Sequence, residues 1–252
     1  MLLIMAYWVV IAGMLQRWFS SKRSFRIKPD YRSISVVLTL SGITYPASYA
    51  MELVLKISVS HPYPHPVGYR NLAVLSNCGN EVHNFASCTL ILAILLAVHQ
   101  EVRTALRPRD LNGWMWNRFF MNSTVLLLFI LESIPFVISV YGTLRSTRLA
   151  SLEDGTQITF LISKIFNVLV LAYLWSLTRI AEKWRIHSPP FALRFVPPMM
   201  LTTSVITAVV GGFLAEGTVS VKVAGRLDLT YRVFQGLGEF VAFVCSVLLC
   251  LD

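Results

Sequence analysis

Charge is scarce in this chain. Only 14% of its 252 residues are Asp, Glu, Lys or Arg, against 55% hydrophobic. That balance excludes an ordinary soluble globular protein, because apolar stretches near the ~20 residues needed to cross a bilayer recur from end to end. Paired metal-ligand spacings are missing too. Cys78, Cys88, Cys245 and Cys250 all fall in apolar stretches, with no zinc pattern and no assignable disulfide. His61 and His65 sit in a proline-rich segment, and His83, His99 and His187 lie far apart, so no metal is expected. A membrane-depth histidine such as His83 reads as a hydrogen-bonded helix contact rather than a ligand. There is no Gly-rich phosphate loop, no serine nucleophile elbow and no aspartate-rich diphosphate motif. Rhodopsin-like receptor signatures are absent: Glu101-Val-Arg103 is a poor echo of an acidic-Arg pair, and no Asn-Pro-x-x-Tyr occurs. The last apolar run has no lysine to hold retinal.

What is present is a series of seven apolar runs. They are expected at about Leu2 to Phe19, Ser33 to Val59, Gly68 to His99, Phe119 to Leu144, Gln157 to Leu177, Val196 to Ala215 and Leu229 to Leu251. The first has no basic leader and no small-residue cleavage site, which favours a retained span over a removed signal peptide. The segment from His61 to Pro66, His-Pro-Tyr-Pro-His-Pro, breaks the second run. A net charge of +9 would suit nucleic acid, but the basic residues lie between the apolar runs rather than on one patch. Most of them cluster in the segments after runs one, three and five, from Arg17 to Arg32, Arg103 to Arg118 and Arg179 to Arg194. The positive-inside rule then places the N-terminus outside or in the lumen and the C-terminus in the cytosol. The expected fold is one domain, an all-α membrane protein built as a seven-transmembrane-helix bundle. Asn122-Ser-Thr matches a glycosylation acceptor but borders a basic cytoplasmic segment, and reads as a chance match.

The second run carries the most informative residue. Glu52 lies well inside it, and a carboxylate in hydrocarbon costs about 2.5–3.5 kcal/mol on insertion scales, so it needs a partner or a task. On a helix, Tyr45, Ser48, Tyr49, Glu52 and Lys56 share one face. Either Lys56 neutralises Glu52 across one turn, or Glu52 is a proton-donating acid in a mostly apolar pocket. Glu81, Glu132 and Glu239 fall near mid-depth of their runs, while Lys164 falls in the outer third of the fifth. Polar residues sorted by depth in this way suggest a shared cavity open to the outer or luminal side. Lys56, Lys164 and Arg232 can pair with its acids, and Asn77, Asn80 and Asn84 can supply further hydrogen bonds. Aromatic lining is available from Tyr45, Tyr49, Phe129, Phe136, Trp175, Phe240 and Phe243.

Carboxylic acids in such a cavity can protonate an epoxide or an alkene. Aromatic faces can stabilise the carbocation that forms, and exclusion of water protects it. An oily substrate could enter sideways from the bilayer. In this layout the chain resembles the small fungal integral-membrane terpene cyclases of meroterpenoid and indole-diterpene pathways. Those proteins have seven helices, a basic segment after the first helix and an essential Glu in the second, followed by a proline-containing loop. Glu52-Leu-Val and His61-Pro62 match that arrangement. Met51 stands where the family has Trp. Glu239 is the nearest match to the family's last-helix Asp, but Phe240 follows it and the family's tyrosine is missing.

The resemblance implies a cyclase in the endoplasmic reticulum membrane that acts on a hydrophobic prenylated substrate and needs no cofactor. Glu52 would start the cyclisation, and Glu239 would hold, relay or remove a proton. Glu81, Asn84 and Glu132 would shape and tune the pocket, with Tyr45, Tyr49, Asn77, Lys164, Trp175, Arg232 and Phe243 also lining it. A seven-transmembrane chemoreceptor-like binding protein is the alternative, although its cytoplasmic loops and tail would be short for partner coupling. A proton-coupled transporter would fit the buried acids but would be expected to carry an internal repeat.

Overall fold

The structure is a computed structural model. It describes residues 1–19, 31–60, 69–105, 119, 122–131, 133–134, 136–138, 141, 150–183, 191–215 and 221–250. Among the described residues there are helices and no strands. The helices are α1 (Leu2–Phe19), α2 (Arg32–Ser60), α3 (Tyr69–Ala105), α4 (within Asn122–Ile138), α5 (Ala150–Lys183), α6 (Phe191–Ala215) and α7 (Val221–Leu249). Three stretches are long and apolar enough to cross a membrane, Arg32–Ser58, Val74–Gln100 and Arg232–Leu249. The structural ends of α1 coincide with the expected run. Helices α3 and α5 extend past their apolar runs because the flanking polar residues still favour helix once the apolar turns have nucleated it.

Helix α3 is the centre. It packs along most of α2 and also touches α5, α6 and α7. Its C-terminal half is therefore buried all round: Leu90, Ile91, Ala93, Ile94, Leu95, Ala97 and Val98 are all inaccessible. Helix α1 covers α2 and the edge of α7, while α5, α6 and α7 pack in sequence. Side-chain levels give the directions. Ser41 and Ala86 are level at one end of the α2–α3 contact, and Ser48 and Gly79 at the other, so these helices are antiparallel. Helix α7 runs against α2, since Gly42 meets Phe243 and Glu52 meets Arg232, and alongside α1, where Leu3 meets Gly236 and Tyr7 meets Phe240.

The outward faces are apolar. Val36, Leu40, Ile43, Val54 and Ile57 on α2 are exposed, as are Val233, Leu237, Val241 and Leu248 on α7 and Leu126, Ile130 and Val137 on α4. In water such a belt would aggregate, whereas hydrocarbon accepts it at no cost. The buried hydroxyls are mostly settled within their own helices. Ser35, Ser48, Thr178, Thr203 and Ser246 each donate to a carbonyl three or four residues back.

Close approach of α1, α2 and α7 depends on Gly42. A Cβ placed there would lie 2.7 Å from Cζ of the fully buried Phe243 and 3.0 Å from Ile11. Small residues at such crossings let membrane helices reach van der Waals packing, which is the main force between them in lipid. Gly42→Val is expected to destabilise the bundle by about 1–3 kcal/mol through overpacking, read as a lower thermal midpoint in detergent. Gly13 has open space around its missing side chain. Gly13→Ala is therefore expected to leave the midpoint unchanged or raise it, since Ala favours helix over Gly by about 0.8–1.0 kcal/mol.

Candidate functional site

The polar residues form separate centres at different levels of the bundle. The deepest is built around Glu239 on α7, which is only 5% exposed. Its Oε1 accepts two hydrogen bonds, from Ser87 Oγ on α3 at 3.0 Å and from Gln235 Nε2, one turn back on α7, at 2.8 Å. The same Gln235 nitrogen lies 3.2 Å from His83 Nε2. His83 Nε2 in turn approaches Glu239 Oε2 to 3.3 Å, but without the alignment of a hydrogen bond, so Oε2 has no hydrogen-bond partner. Tyr45 on α2 joins through Ser87, its hydroxyl 3.1 Å from Ser87 Oγ. The sequence places these groups by simple spacing. Gln235 and Glu239 are four apart on α7, and His83 and Ser87 are four apart on α3, so each pair shares a face and the two faces meet.

One side of this centre is walled by rings. Tyr7 from α1 contacts Tyr45, Phe240 and Phe243 at centroid distances of 5.2, 5.0 and 5.2 Å. Tyr45 and Tyr49 each set an edge against His83, at 5.4 and 5.8 Å. The other side opens on a cavity of about 20 Å³, lined by His83, Asn84, Ser87, Lys164, Asn167, Thr203 and Glu239 among others. That volume is room for about one water molecule. Among the described residues no group of three or more His, Cys, Asp or Glu side chains is placed to hold a metal ion.

The second centre contains Glu52. Its Oε1 accepts a 2.7 Å hydrogen bond from Arg232 Nη1 on α7 and lies 3.3 Å from Lys56 Nζ on its own helix. The i,i+4 contact with Lys56 is one of the two readings that its spacing allows. The side chains are partly open, 26% for Glu52, 42% for Arg232 and 56% for Lys56. Pairs this exposed are worth about 0–1 kcal/mol, so this cluster fixes the level of α2 against α7 more than it stabilises the fold. Arg232 and Glu239 are seven residues apart on α7, so the level at which Glu52 is held lies roughly 10 Å along the helix axis from Glu239. Tyr49 fills the level between them, its hydroxyl 2.9 Å from where a Cβ on Gly236 would be.

Glu81 belongs to a third centre, accepting a 2.6 Å hydrogen bond from Ser133 Oγ on α4. Phe85 and Phe129 pack edge to face one turn away, at 5.5 Å. Asn84 and Lys164 reach the cavity beside Glu239, whereas Asn77 is half-buried on α3 and does not line it. Phe243 is buried among the rings, not at the cavity. Trp175 lies on the exposed face of α5, with Arg179 over its ring at 5.9 Å. Glu132, expected in the pocket, lies outside the described residues. Ser87 and Tyr7 hold central places that composition and depth did not single out, and Gln235 and Asn167, polar residues inside the seventh and fifth apolar runs, hold places there too. The usable signal was the i,i+4 pairing of His83 with Ser87 and of Gln235 with Glu239.

Comparison of the chain with protein-family models, with curated proteins and with solved structures returned no match in any of the three.

The centre makes a specific demand on Ser87. Its hydroxyl is shared by Tyr45 and Glu239, which come from two other helices. Ser87→Ala is expected to cost about 1.5–3 kcal/mol, the range for a hydrogen bond to a charged group. Ser48→Ala removes only a bond to its own helix backbone and is expected to change stability by less than about 0.5 kcal/mol. Thermal midpoints of the two variants in the same detergent check the contrast.

Proposed function

We propose that the protein is a membrane-embedded enzyme that moves a proton onto an apolar prenyl-type substrate and guides the cyclisation that follows. On this reading the chain is a seven-span bundle with its N-terminus in the lumen and its C-terminus in the cytosol, resident in the endoplasmic reticulum. The supporting observation is the contact of buried Glu239 with His83, Gln235 and Ser87 beside a cavity, inside a bundle whose exterior is apolar. Glu239 Oε2 and His83 Nε2 stand 3.3 Å apart, and a small rotation of the imidazole that aligns them lets one proton pass between them, so the pair can carry and release one proton. Gln235 and Ser87 hold Oε1 and leave Oε2 as the reactive oxygen. The ring cluster of Tyr7, Tyr45, Tyr49 and Phe240 supplies faces of the kind that stabilise a cation.

Glu52 has a different part here. Held by Arg232 and Lys56 at the level where the apolar stretch of α7 begins, it orders the mouth of the site, and Glu239 with His83 carries the proton. A cavity for one water is far below the roughly 300–1,000 Å³ of small-molecule sites. Substrate therefore reaches Glu239 only when α5 and α6 part from α3, where their contacts are sparse beside the long α2–α3 seam. The same small cavity favours a second reading, a chemoreceptor-like binding protein in which the Glu239 network is a latch that a ligand opens.

Microsomes containing the protein and fed epoxidised farnesyl or geranylgeranyl compounds are expected to yield cyclised products identified by mass and NMR. Glu239→Gln should lower turnover by about 10²–10⁴-fold, the usual contribution of a general acid, with the protein still folded. Glu52→Gln should lower it far less. The reverse ranking would give Glu52 the initiating role that the family resemblance implies. No turnover with any such substrate, together with ligand-dependent coupling to a G protein, would sink the enzymatic reading. A fluorescent tag at the C-terminus and a glycosylatable tag at the N-terminus test the topology: cytosolic fluorescence and a glycosylated N-terminus are expected.

A further inference from the structure

Two buried acceptors without a hydrogen bond, Glu239 Oε2 on α7 and Asn167 Oδ1 on α5, belong to side chains that line the same cavity, and the first has only the 3.3 Å contact with His83 Nε2. Both side chains are more than nine-tenths buried, Glu239 at 5% and Asn167 at 8% exposure. An unsatisfied buried acceptor is expensive, and two in one small cavity call for a shared donor. The cavity of about 20 Å³ accommodates a single water. We infer that one structural water binds here and donates one hydrogen to Glu239 Oε2 and the other to Asn167 Oδ1. Asn84, Ser204 and Lys164 also line the cavity, and each can offer a donor to the water's lone pairs. The water completes the shell of Glu239, whose other oxygen is already filled by Ser87 and Gln235, and it ties α5 to α7. The inference holds whether the bundle is an enzyme or a receptor.

A metal cation would find the same two acceptors, but the surroundings disfavour it. Lys164 is in the lining, so the site has its own source of positive charge. A volume for one water also leaves no room for the further water ligands that a small cation would bring.

Asn167→Leu nearly preserves volume but removes the amide donors together with the acceptor, so an unchanged or raised midpoint decides by itself and a fall is read together with a wild-type map of the cavity. If Asn167 Oδ1 is orphaned in solution, replacing it with an apolar group of similar shape leaves the thermal midpoint unchanged or raises it. If a water bridges it to Glu239, the water is lost and Glu239 Oε2 loses its donor. The midpoint of the purified full-length protein in nanodiscs is then expected to fall by about 3–8 °C. An unchanged or higher midpoint overturns the inference. Should the variant fail to fold, a wild-type map sharp enough to place waters decides it. Density between Glu239 and Asn167 supports the site, and a dry cavity there overturns it. Repeating the wild-type melt in sodium chloride and in N-methylglucamine chloride separates water from ion. Equal midpoints are expected, and a midpoint raised by sodium would replace the water with a cation.

Discussion

A carboxylate buried in an apolar bundle is the constraint around which this structure is arranged. Inside the bundle bulk solvent cannot compensate Glu239, so its direct partners are side chains of the protein, and most of them bring another helix with them. Ser87 and His83 bring α3, Tyr45 brings α2 through Ser87, and Gln235 comes from α7 itself. Apolar faces alone would let these helices slide or rotate, since lipid tails solvate leucine as well as another helix does. The polar contacts remove that freedom. A register shift of one residue on α7 would turn Glu239 by about 100° around the helix axis, away from both Ser87 and His83.

The remaining polar groups are treated differently, and the contrast shows which of them matter beyond the helix that carries them. Most buried hydroxyls turn back onto their own backbone and contribute nothing between helices. Ser41, Ser87 and Ser133 donate across to Ala86, Glu239 and Glu81, although Ser133 also lies within reach of its own-helix carbonyl at Phe129. All three of those bonds involve α3, and two of them reach carboxylates. Helix α3 is thus both the most buried helix and the one through which the acids are coupled. The rings of Tyr7, Tyr45, Tyr49, Phe240 and Phe243 seal α1 over that junction, and Gly42 permits the approach.

Run lengths and breakers were enough to place helices at Leu2–Phe19, Arg32–Ser60 and Phe191–Ala215 to within a few residues, because bilayer-length apolar runs leave few alternatives. Contacts within a turn were equally legible, as with Lys56 and Glu52. Contacts between helices were not. Depth put Glu81 and Glu239 at a similar level, but depth carries no azimuth, and in the bundle they take partners on different helices, Ser133 on α4 and Ser87 on α3. Trp175 shows the same gap: its depth suited a pocket, yet the rotation of α5 that buries Leu171, Leu174 and Thr178 turns it outward. Rotation about a helix axis is set by which faces meet, and an apolar face in lipid leaves almost no periodic signal for it.

The two acids on the α2–α7 seam show how position selects partner chemistry. Glu52 stands where its side chain and those of Arg232 and Lys56 are partly open, and there full cations can be used because their own charge is still accessible to a polar medium. Glu239 lies roughly two helical turns deeper, beside a cavity that the half-buried Lys164 also lines. A lysine or arginine bonded directly to Glu239 would lose most of its solvation there, at a cost that the attraction between the charges need not recover. Its partners are accordingly an imidazole, an amide and a hydroxyl, groups that can be neutral and still direct hydrogens at an oxygen. An acid held by neutral or proton-exchanging groups can change its protonation state without stranding a permanent charge in the core. That contrast between the partners of the two acids is the physical reason for proposing the proton chemistry at Glu239 rather than at Glu52.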